Sequence, residues 1–297
     1  MTTADVLVEI NNLTYSYPAP AGLLRRPKLA PPAIDDVSFS IAEGEVVALV
    51  GESGSGKSTI GRLLLGMLRP SSGNVLFDGQ DVHALRGRDS RRHRHNYQMV
   101  FQDPYSSLNP RMAIGDAIAE ALKITGETSA EARDSIAREL LARVRLGEDM
   151  FSRRPAELSG GQRQRVGIAR ALAAGPRLLV ADEALASLDV SIQAQVAGVL
   201  KELNEQEQLS MLFITHDLAM ARRLATRIIV LNKGRIVESG PAAEIIEHPN
   251  DPYTRALIEA VPIANPRIAR ARQHARLAQR SSQAATAAHA HLERKSL

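Results

Sequence analysis

A glycine-rich turn between a strand and a helix constrains this chain more than any other feature. Residues 51–59 read Gly-Glu-Ser-Gly-Ser-Gly-Lys-Ser-Thr and match the pattern G-x-x-x-x-G-K-[ST]. An apolar run at 45–50 precedes this loop, and a helical pattern at 57–68 follows it. Such a loop turns its backbone N–H groups toward a phosphate chain, at a helix N-terminus that favours anions. The sequence therefore predicts an α/β fold with a phosphate-binding site.

Two side chains of this loop have distinct expected roles. Lys57 is expected to reach the β- and γ-phosphates, and the Ser58 hydroxyl to bind Mg²⁺. An ordinary Gly-Ser turn is the alternative, but normal frequencies of glycine and lysine make a chance match rare. The predicted nucleotide-binding residues of the loop are Gly51, Ser53, Gly54, Gly56, Lys57, Ser58 and Thr59.

A second pattern is an apolar strand that ends in two carboxylates. Residues 178–183 read Leu-Leu-Val-Ala-Asp-Glu. In a parallel α/β sheet the carboxyl ends of the strands face the ligand crevice. Asp182 is therefore expected to approach Mg²⁺, and Glu183 to polarise an attacking water. An ordinary solvated strand end is the alternative, and the phosphate loop upstream favours the catalytic interpretation.

Strand and helix patterns alternate along most of the chain, as a parallel α/β sheet requires. Between 86 and 157 the pattern becomes mainly helical, which predicts a helical subdomain inserted into a core formed by 1–85 and 158–232. A C-terminal extension is predicted at 233–262, and a basic, flexible tail at 263–297. The Pro-rich connector at 18–32 is predicted to be a surface loop.

Composition excludes several classes of site and location. The chain has no cysteine, so it has no disulfide, thiolate zinc site or cysteine-ligated iron–sulfur cluster, and a cytoplasmic location is expected. No apolar run approaches the roughly 20 residues of a membrane-spanning helix. The net charge is +4, but the tail alone holds seven basic and one acidic residue. The rest of the chain has no basic excess, so nucleic acid is not an expected partner.

A pentapeptide joins these patterns to a known family. Residues 158–162, Leu-Ser-Gly-Gly-Gln, resemble the signature of ATP-binding-cassette (ABC) ATPases, although Ser159 would also serve as an ordinary helix N-cap. The resemblance implies a P-loop NTPase core with a mainly parallel sheet and flanking helices, an antiparallel β subdomain and the helical insertion. It also implies ATP and Mg²⁺. The family pattern assigns four residues to the ATP of the opposing subunit in a head-to-tail dimer: Ser159, Gly160, Gly161 and Gln162.

Two further family motifs supply candidate catalytic residues. Gln102, after the apolar residues 99–101, resembles the loop glutamine that contacts Mg²⁺ and water, so the implied metal ligands are Ser58, Gln102 and Asp182. His216 resembles the switch histidine that contacts the γ-phosphate. Either residue, taken alone, would more often be an ordinary loop residue. Together with Glu183, both complete the predicted catalytic set.

The adenine-stacking position of the family has two candidates in this chain. Tyr17 is favoured and Tyr15 competes with it, and either one also suits a strand residue with a solvated hydroxyl.

The sequence departs from the family pattern at one loop of the implied dimer. Residues 184–189 read Ala-Leu-Ala-Ser-Leu-Asp, whereas the family usually has Ser-Ala-Leu-Asp at the end of this segment. Asp189, the dimer-loop aspartate, is retained. Ala186 lacks the hydroxyl that normally crosses to the other subunit, which weakens the expected coupling between subunits.

Three separate segments, 101–112, 189–195 and 248–257, resemble the dipeptide, oligopeptide and nickel uptake branch, in its F-like ATPase type. The resemblance implies a second homologous ATPase subunit, or a copy of this chain, together with two permease subunits and an extracytoplasmic solute-binding protein. It implies a peripheral location at the cytoplasmic face of the membrane. A nickel or other small-solute importer and a soluble ABC ATPase are the alternatives. A soluble repair ATPase would need a heptad-patterned insertion, which 85–157 lacks.

A basic cluster precedes the loop glutamine and has three possible interpretations. A nucleic-acid patch and a metal site are possible, but no aromatic residue is interleaved before Tyr97, and the two histidines have no carboxylate or thiolate beside them in the sequence. A solvated face of the linker is the preferred interpretation. The cluster consists of Arg86, Arg88, Arg91, Arg92, His93, Arg94 and His95.

Overall fold

Two β-sheets and the helices around them make up most of the described chain. The computed structural model describes residues 5–18, 31–103, 108–126 and 129–260. The predicted basic tail and nearly all of the Pro-rich connector lie outside these residues. The chain divides after Arg255 into two units, and of the second the structure describes only 256–260, the end of a helix.

The strands of the described chain are β1 Val6–Tyr15, β2 Ile34–Ala42, β3 Val46–Val50, β4 Ser72–Phe77, β5 Gln80–Asp81, β6 Tyr97–Val100, β7 Leu178–Asp182, β8 Ser210–Thr215, β9 Arg227–Asn232 and β10 Arg235–Pro241. The α-helices are α1 Lys57–Leu64, α2 Gly87–His93, α3 Ile114–Thr125, α4 Ala130–Arg143, α5 Gly160–Leu172, α6 Val190–Glu207, α7 Leu218–Leu224, α8 Ala242–Glu247 and α9 Pro252–Ala260. Short 3-10 turns occur at Arg94–Asn96, Glu148–Met150 and Pro155–Glu157.

The larger sheet has six strands in the order β10-β9-β3-β8-β7-β6. Its strands pair in parallel except for β10, which runs antiparallel to β9. All residues of β3, β7 and β8 are buried, because both faces of this sheet are covered. The predicted parallel core is confirmed, and the carboxyl ends of β3, β7 and β8 meet along one edge.

The smaller sheet is antiparallel, in the order β2-β1-β4-β5, as expected for the β subdomain. Strand β1 runs to Tyr15, although the turn-forming pair Asn11-Asn12 predicts an end at Ile10. The strand continues through a bulge, where Asn12 has a positive φ of 46° and its N–H donates to Ser38 Oγ at 2.7 Å. Asparagine adopts this backbone conformation more easily than most residues.

A hydrophobic core fills the space between the two sheets. Leu63 and Leu64 of α1 are fully buried there, with Leu49 of β3 and Phe77 of β4. The helix ends at Leu64 and not at 68 as its pattern predicts, because Gly66 follows with a φ of 67°. A left-handed glycine at this position is a common helix stop.

Helices α3 and α4 form the helical part of the chain between β6 and α5, and they pack on each other and on α5. Strand β6 lies inside the segment 86–157 but pairs with β7 in the larger sheet. The domain boundaries given above stay predictions. No helix in the described residues has the length and apolarity needed to cross a membrane.

Removing a ring from the core of the larger sheet is expected to destabilise the protein strongly. Phe213 on β8 is 1% exposed, so Phe213→Ala should lower the free energy of unfolding by about 3–5 kcal/mol. The matched control is Phe101→Ala, because Phe101 is 42% exposed and should cost about 1 kcal/mol or less. Urea unfolding of both variants measures the difference, and equal losses would contradict this description of the core.

Candidate functional site

The phosphate loop connects β3 to α1 at the edge where the parallel strands end. A Cβ atom on Gly51 would lie 2.2 Å from the Leu231 carbonyl oxygen at the end of β9. A Cβ atom on Gly56 would lie 2.7 Å from the Ala33 carbonyl oxygen, and Gly56 has a φ of 107°. Glycine is therefore required at both positions, by close packing at the first and by packing and backbone conformation at the second.

The Lys57 side chain folds back over this loop. Its Nζ donates to the carbonyl oxygens of Gly51 and Glu52, both at 2.8 Å. Lys57 is 4% exposed, and burial lowers the pKa of its ammonium group, although Glu183 and Asp182 act in the opposite direction. The loop carbonyls thus hold a buried cation at the start of α1.

Ser55 gives this loop a second polar group directed inward. It is 4% exposed, and its Oγ is buried without a hydrogen-bond partner in the described part of the chain. A buried hydroxyl without a partner is costly, and an oxyanion would satisfy it. The glycines, the Lys57 ammonium and the Ser55 hydroxyl together fit a phosphate group.

Ser58 and Asp182 meet where α1 begins and β7 ends. The Ser58 hydroxyl donates to Asp182 Oδ1 at 2.8 Å. Asp182 is 8% exposed, and burial raises the pKa of its carboxyl, to which the charge of Glu183 adds. A hydroxyl beside a carboxylate is the donor set that a hard divalent cation prefers, so these residues fit Mg²⁺.

Glu183 and His216 lie at the ends of neighbouring strands. The distance from His216 Nδ1 to Glu183 Oε1 is 3.7 Å. The Glu183 side chain is 18% exposed and that of His216 56%. Glu183 has a φ of 47°, and its N–H donates to the Ile214 carbonyl oxygen of β8 at 2.9 Å. The strand ends thus place a carboxylate and an imidazole beside each other, next to Asp182.

The loop glutamine makes no hydrogen bond to this cluster among the described residues. Gln102 follows β6 and is exposed, and no hydrogen bond among the described residues joins its side chain to Ser58 or Asp182. Its carbonyl oxygen lies 3.5 Å from the Ser187 Oγ, which donates to it. The structure therefore connects Gln102 to the segment after Glu183, and shows no hydrogen bond from its side chain to the Ser58–Asp182 pair.

The two candidate tyrosines differ in exposure. Tyr15 is 7% exposed, whereas Tyr17 is 52% exposed. The hydroxyl of Tyr17 forms a hydrogen bond with Thr59 Oγ1 at 3.0 Å, and its ring meets that of Tyr15 edge-on at 5.0 Å. Only Tyr17 has both an accessible ring and a direct contact with the phosphate-loop segment.

The signature segment forms a capped helix start, as its alternative interpretation predicts. Ser159 Oγ accepts from the Gln162 N–H at 3.3 Å, and the Gln162 side chain accepts from the Ser159 N–H at 2.9 Å. The next helix, α6, is capped by Asp189, whose Oδ1 accepts from the Ile192 N–H at 3.0 Å. A Cβ atom on Gly161 would lie 2.1 Å from Ile192 Cγ2, so the two helix starts are in close contact.

Comparison with known proteins identifies the family. The family model described as "ABC transporter" matches residues 34–186, which is just over half of the chain. The chain belongs to the ABC transporter family. A second family model, "Oligopeptide/dipeptide transporter, C-terminal region", matches residues 237–287. The predicted resemblance to ABC ATPases and to their oligopeptide branch is confirmed.

The similarity of this ABC protein to known relatives extends over most of its length. It is 46% identical to the "Probable peptide ABC transporter ATP-binding protein y4tS" of Sinorhizobium fredii, over 90% of this chain and 76% of the relative. It is 46% identical to the "Oligopeptide transport ATP-binding protein OppF" of Bacillus subtilis, over 88% of this chain and 84% of the relative. A solved ATP-binding cassette, a dimer bound to ADP and phosphate, is 32% identical with a TM-score of 0.69. That match covers 79% of this chain and 98% of the cassette.

Sequence reasoning missed two features of this ABC protein's phosphate loop, a buried hydroxyl and a main-chain hydrogen bond. The motif allows any residue at position 55, so the buried Ser55 hydroxyl carried no signal. The Ser55 carbonyl oxygen also accepts from the Gly234 N–H at 2.9 Å, in the turn between β9 and β10. The sequence marks Gly234 as a turn residue but does not show which loop this turn contacts.

Two glycines of α5 are expected to respond oppositely to the same substitution. Gly161→Ala places a methyl group against Ile192 and should destabilise the protein by about 1–3 kcal/mol. Gly167→Ala meets no atom within 4 Å and should stabilise it by about 0.5–1 kcal/mol. Urea unfolding distinguishes the two effects. A stabilised Gly161→Ala variant would contradict the close contact between the two helix starts.

Proposed function

We propose that this chain is the ATP-hydrolysing subunit of an importer for dipeptides or oligopeptides, bound peripherally at the cytoplasmic face of the membrane. The observation that carries the proposal is the joint presence of the ABC match at 34–186 and the oligopeptide-transporter match at 237–287. The names of the relatives, which are 46% identical over most of the chain, support the same substrate class.

The phosphates of ATP would lie against the phosphate loop. The Lys57 ammonium would donate to the β- and γ-phosphates instead of to the two loop carbonyls. The Ser55 hydroxyl would donate to a phosphate oxygen. The exposed ring of Tyr17 would stack on adenine. The proposed loop contacts are Gly51, Ser53, Gly54, Gly56, Lys57, Ser58 and Thr59.

Ser58 and Asp182 would hold Mg²⁺, and Gln102 would join them as the third ligand. Mg²⁺, when bound there, would neutralise the negative charge that develops during phosphoryl transfer. In the structure the Gln102 side chain makes no hydrogen bond to Ser58 or Asp182, so a bound ion would be what brings the three residues into one ligand set. The hydrogen bond from Ser187 to the Gln102 carbonyl oxygen connects this loop to the segment after Glu183.

Glu183 is the proposed general base for the attacking water. It is partly buried beside the Ser58–Asp182 pair, so its carboxylate is ready to accept a proton where the γ-phosphate would lie. His216, 3.7 Å from Glu183, would contact the γ-phosphate and keep the base oriented. Lys57 supplies compensating positive charge to the same cluster.

The signature residues would complete the site of a second subunit. Ser159 and Asp189 are exposed, and each caps the start of a helix of more than twelve residues. A helix N-terminus favours an anion, so the start of α5 suits the γ-phosphate held by an opposing subunit. We infer a head-to-tail dimer with a second homologous ATPase or with a copy of this chain. Ala186 removes one hydroxyl from this interface, and Gly160, Gly161 and Gln162 would act with Ser159.

A groove beside α5 would dock the permease. This cavity has a volume of about 470 Å³ and lies between β6, α5 and the end of α1. Met67 and Phe101 both line it and expose 56% and 42% of their surface, so the groove presents two large apolar side chains to a partner. The proposed transporter contains two permease subunits, whose cytoplasmic loops would fill this groove on each ATPase, and an extracytoplasmic solute-binding protein.

Glu183→Gln is expected to abolish most hydrolysis while ATP still binds. The amide keeps the size of the side chain but loses the proton affinity, so ATP turnover in the assembled transporter should fall about 100- to 10,000-fold. ATP affinity should stay within about 2-fold, because the phosphate loop is unchanged. Turnover assays and ATP titration measure the two effects, and size-exclusion chromatography should show a dimer that accumulates with ATP.

Lys57→Ala is the contrasting variant. It removes a phosphate ligand, so binding itself should weaken and the ATP-dependent dimer should not form. Unchanged hydrolysis in the Glu183→Gln variant would overturn the assignment of the general base. Unchanged ATP affinity in the Lys57→Ala variant would overturn the placement of the phosphates.

Introduced single cysteines are expected to identify the surface of this chain that contacts the permease. The chain has no cysteine of its own, so every crosslink can be assigned to the introduced residue. Met67→Cys in the groove and Asn109→Cys in the segment between β6 and α3 should form crosslinks to a cysteine in a cytoplasmic loop of the permease. Val190→Cys is the control. Val190 is 79% exposed at the proposed dimer face and should crosslink to the second ATPase instead. Permease crosslinks from Val190→Cys but not from Met67→Cys would contradict the proposed docking.

A further inference from the structure

A tyrosine from the C-terminal part of the first unit contacts the phosphate loop. The Glu52 N–H donates to the Tyr253 hydroxyl oxygen at 3.1 Å, across 201 positions of sequence. Glu52 is the second residue of the loop, and Tyr253 lies in the first turn of α9. Main-chain groups also lie against this loop, namely the Leu231 and Ala33 carbonyl oxygens and the Gly234 N–H.

Hydrogen bonds fix the segment that carries Tyr253, so its hydroxyl can hold the Glu52 N–H in place. Asp251 Oδ1 accepts from the Tyr253 N–H at 2.7 Å and from the Thr254 N–H at 3.4 Å, which caps the start of the helix. The Glu238 carboxylate of β10 accepts from the Asn250 N–H at 2.7 Å and the Asp251 N–H at 3.2 Å. The segment that carries Tyr253 is thus fixed to the same sheet edge as the loop.

The contact fixes the orientation of one peptide group. The N–H of Glu52 and the carbonyl of Gly51 belong to the same planar peptide unit. Tyr253 accepts from the N–H, while Lys57 Nζ donates to the carbonyl. If Lys57 turns to phosphates, this peptide loses its carbonyl partner, and Tyr253 then provides its remaining side-chain contact.

We propose that Tyr253 is a positioning residue for ATP binding, which orders the Gly51–Glu52 peptide and thereby the loop that receives the phosphates. The inference rests on the proposed placement of ATP at this loop. In this proposal the C-terminal segment supports ATP binding, because an ordered loop and a docked Tyr253 stabilise each other. Such coupling is reciprocal, so ATP should in turn hold Tyr253 in place.

Tyr253→Phe tests the proposal, since it keeps the ring and removes only the hydroxyl. A neutral hydrogen bond contributes about 0.5–1.5 kcal/mol, so ATP affinity of the full chain should fall about 2- to 10-fold. Titration without Mg²⁺ measures binding without hydrolysis. With Mg²⁺, KM for ATP should rise by the same factor while kcat at saturating ATP stays within about 2-fold, a split that general loosening of the fold would not produce.

Arg255→Ala is the matched control. Arg255 donates to the Asn250 carbonyl oxygen at 3.1 Å and so holds the same segment, but it makes no hydrogen bond to the loop in the described residues. Its ATP affinity should be unchanged. Equal losses in Tyr253→Phe and Arg255→Ala, or no loss in Tyr253→Phe, would overturn the role of the hydroxyl. If Lys57→Ala still loses affinity in that case, the proposed function stands, whereas no loss in Lys57→Ala overturns both.

Discussion

The main chain of the phosphate loop lies directly against the end of β9, and the site depends on this contact. Gly51 approaches the Leu231 carbonyl oxygen so closely that no side chain fits between them. This position aims the Gly51 carbonyl at Lys57 Nζ, and α1 begins immediately afterwards. The first turn of α1 then carries Ser58 to Asp182. One short backbone approach therefore sets the positions of the buried ammonium and of the hydroxyl–carboxylate pair.

The buried charged groups of the site destabilise the folded protein unless a ligand of opposite charge binds to them. Burial lowers the pKa of Lys57 and raises that of Asp182, so each group is held where its charged form is disfavoured. Glu183 compensates Lys57 but adds to the shift of Asp182. Phosphates and a divalent cation would supply the opposite charge to each group. The same desolvation that destabilises the protein alone would then strengthen its electrostatic interactions with the bound nucleotide.

Local patterns were enough to predict the parts of the fold that depend on local chemistry. The apolar strands β3 and β8 are buried on both faces, as their composition predicts. In the loop after β3, Gly54 and Gly56 have positive φ values, which glycine adopts readily. Tertiary pairing overrode local preference at Asn12, where the neighbouring strands extend β1 through a turn-forming pair. The contact between Glu52 and Tyr253 had no local signal, because it depends on how β9, β10 and the following segment pack against the loop.

The proposed dimer face is polar, and its helix-capping side chains already form their hydrogen bonds within one subunit. Ser159 and Asp189 each accept hydrogen bonds from the helix that they cap, so neither side chain needs a partner subunit to satisfy it. The exposed large apolar residues of the described chain are Val6, Tyr17, Met67, Phe101 and Val190. Of these, Val190 is adjacent to Asp189, so a single large apolar side chain marks this face. Association of two such faces would therefore gain little from hydrophobic burial. It would depend mainly on the charge of ATP between the phosphate loop of one subunit and the α5 N-terminus of the other, which makes assembly responsive to nucleotide.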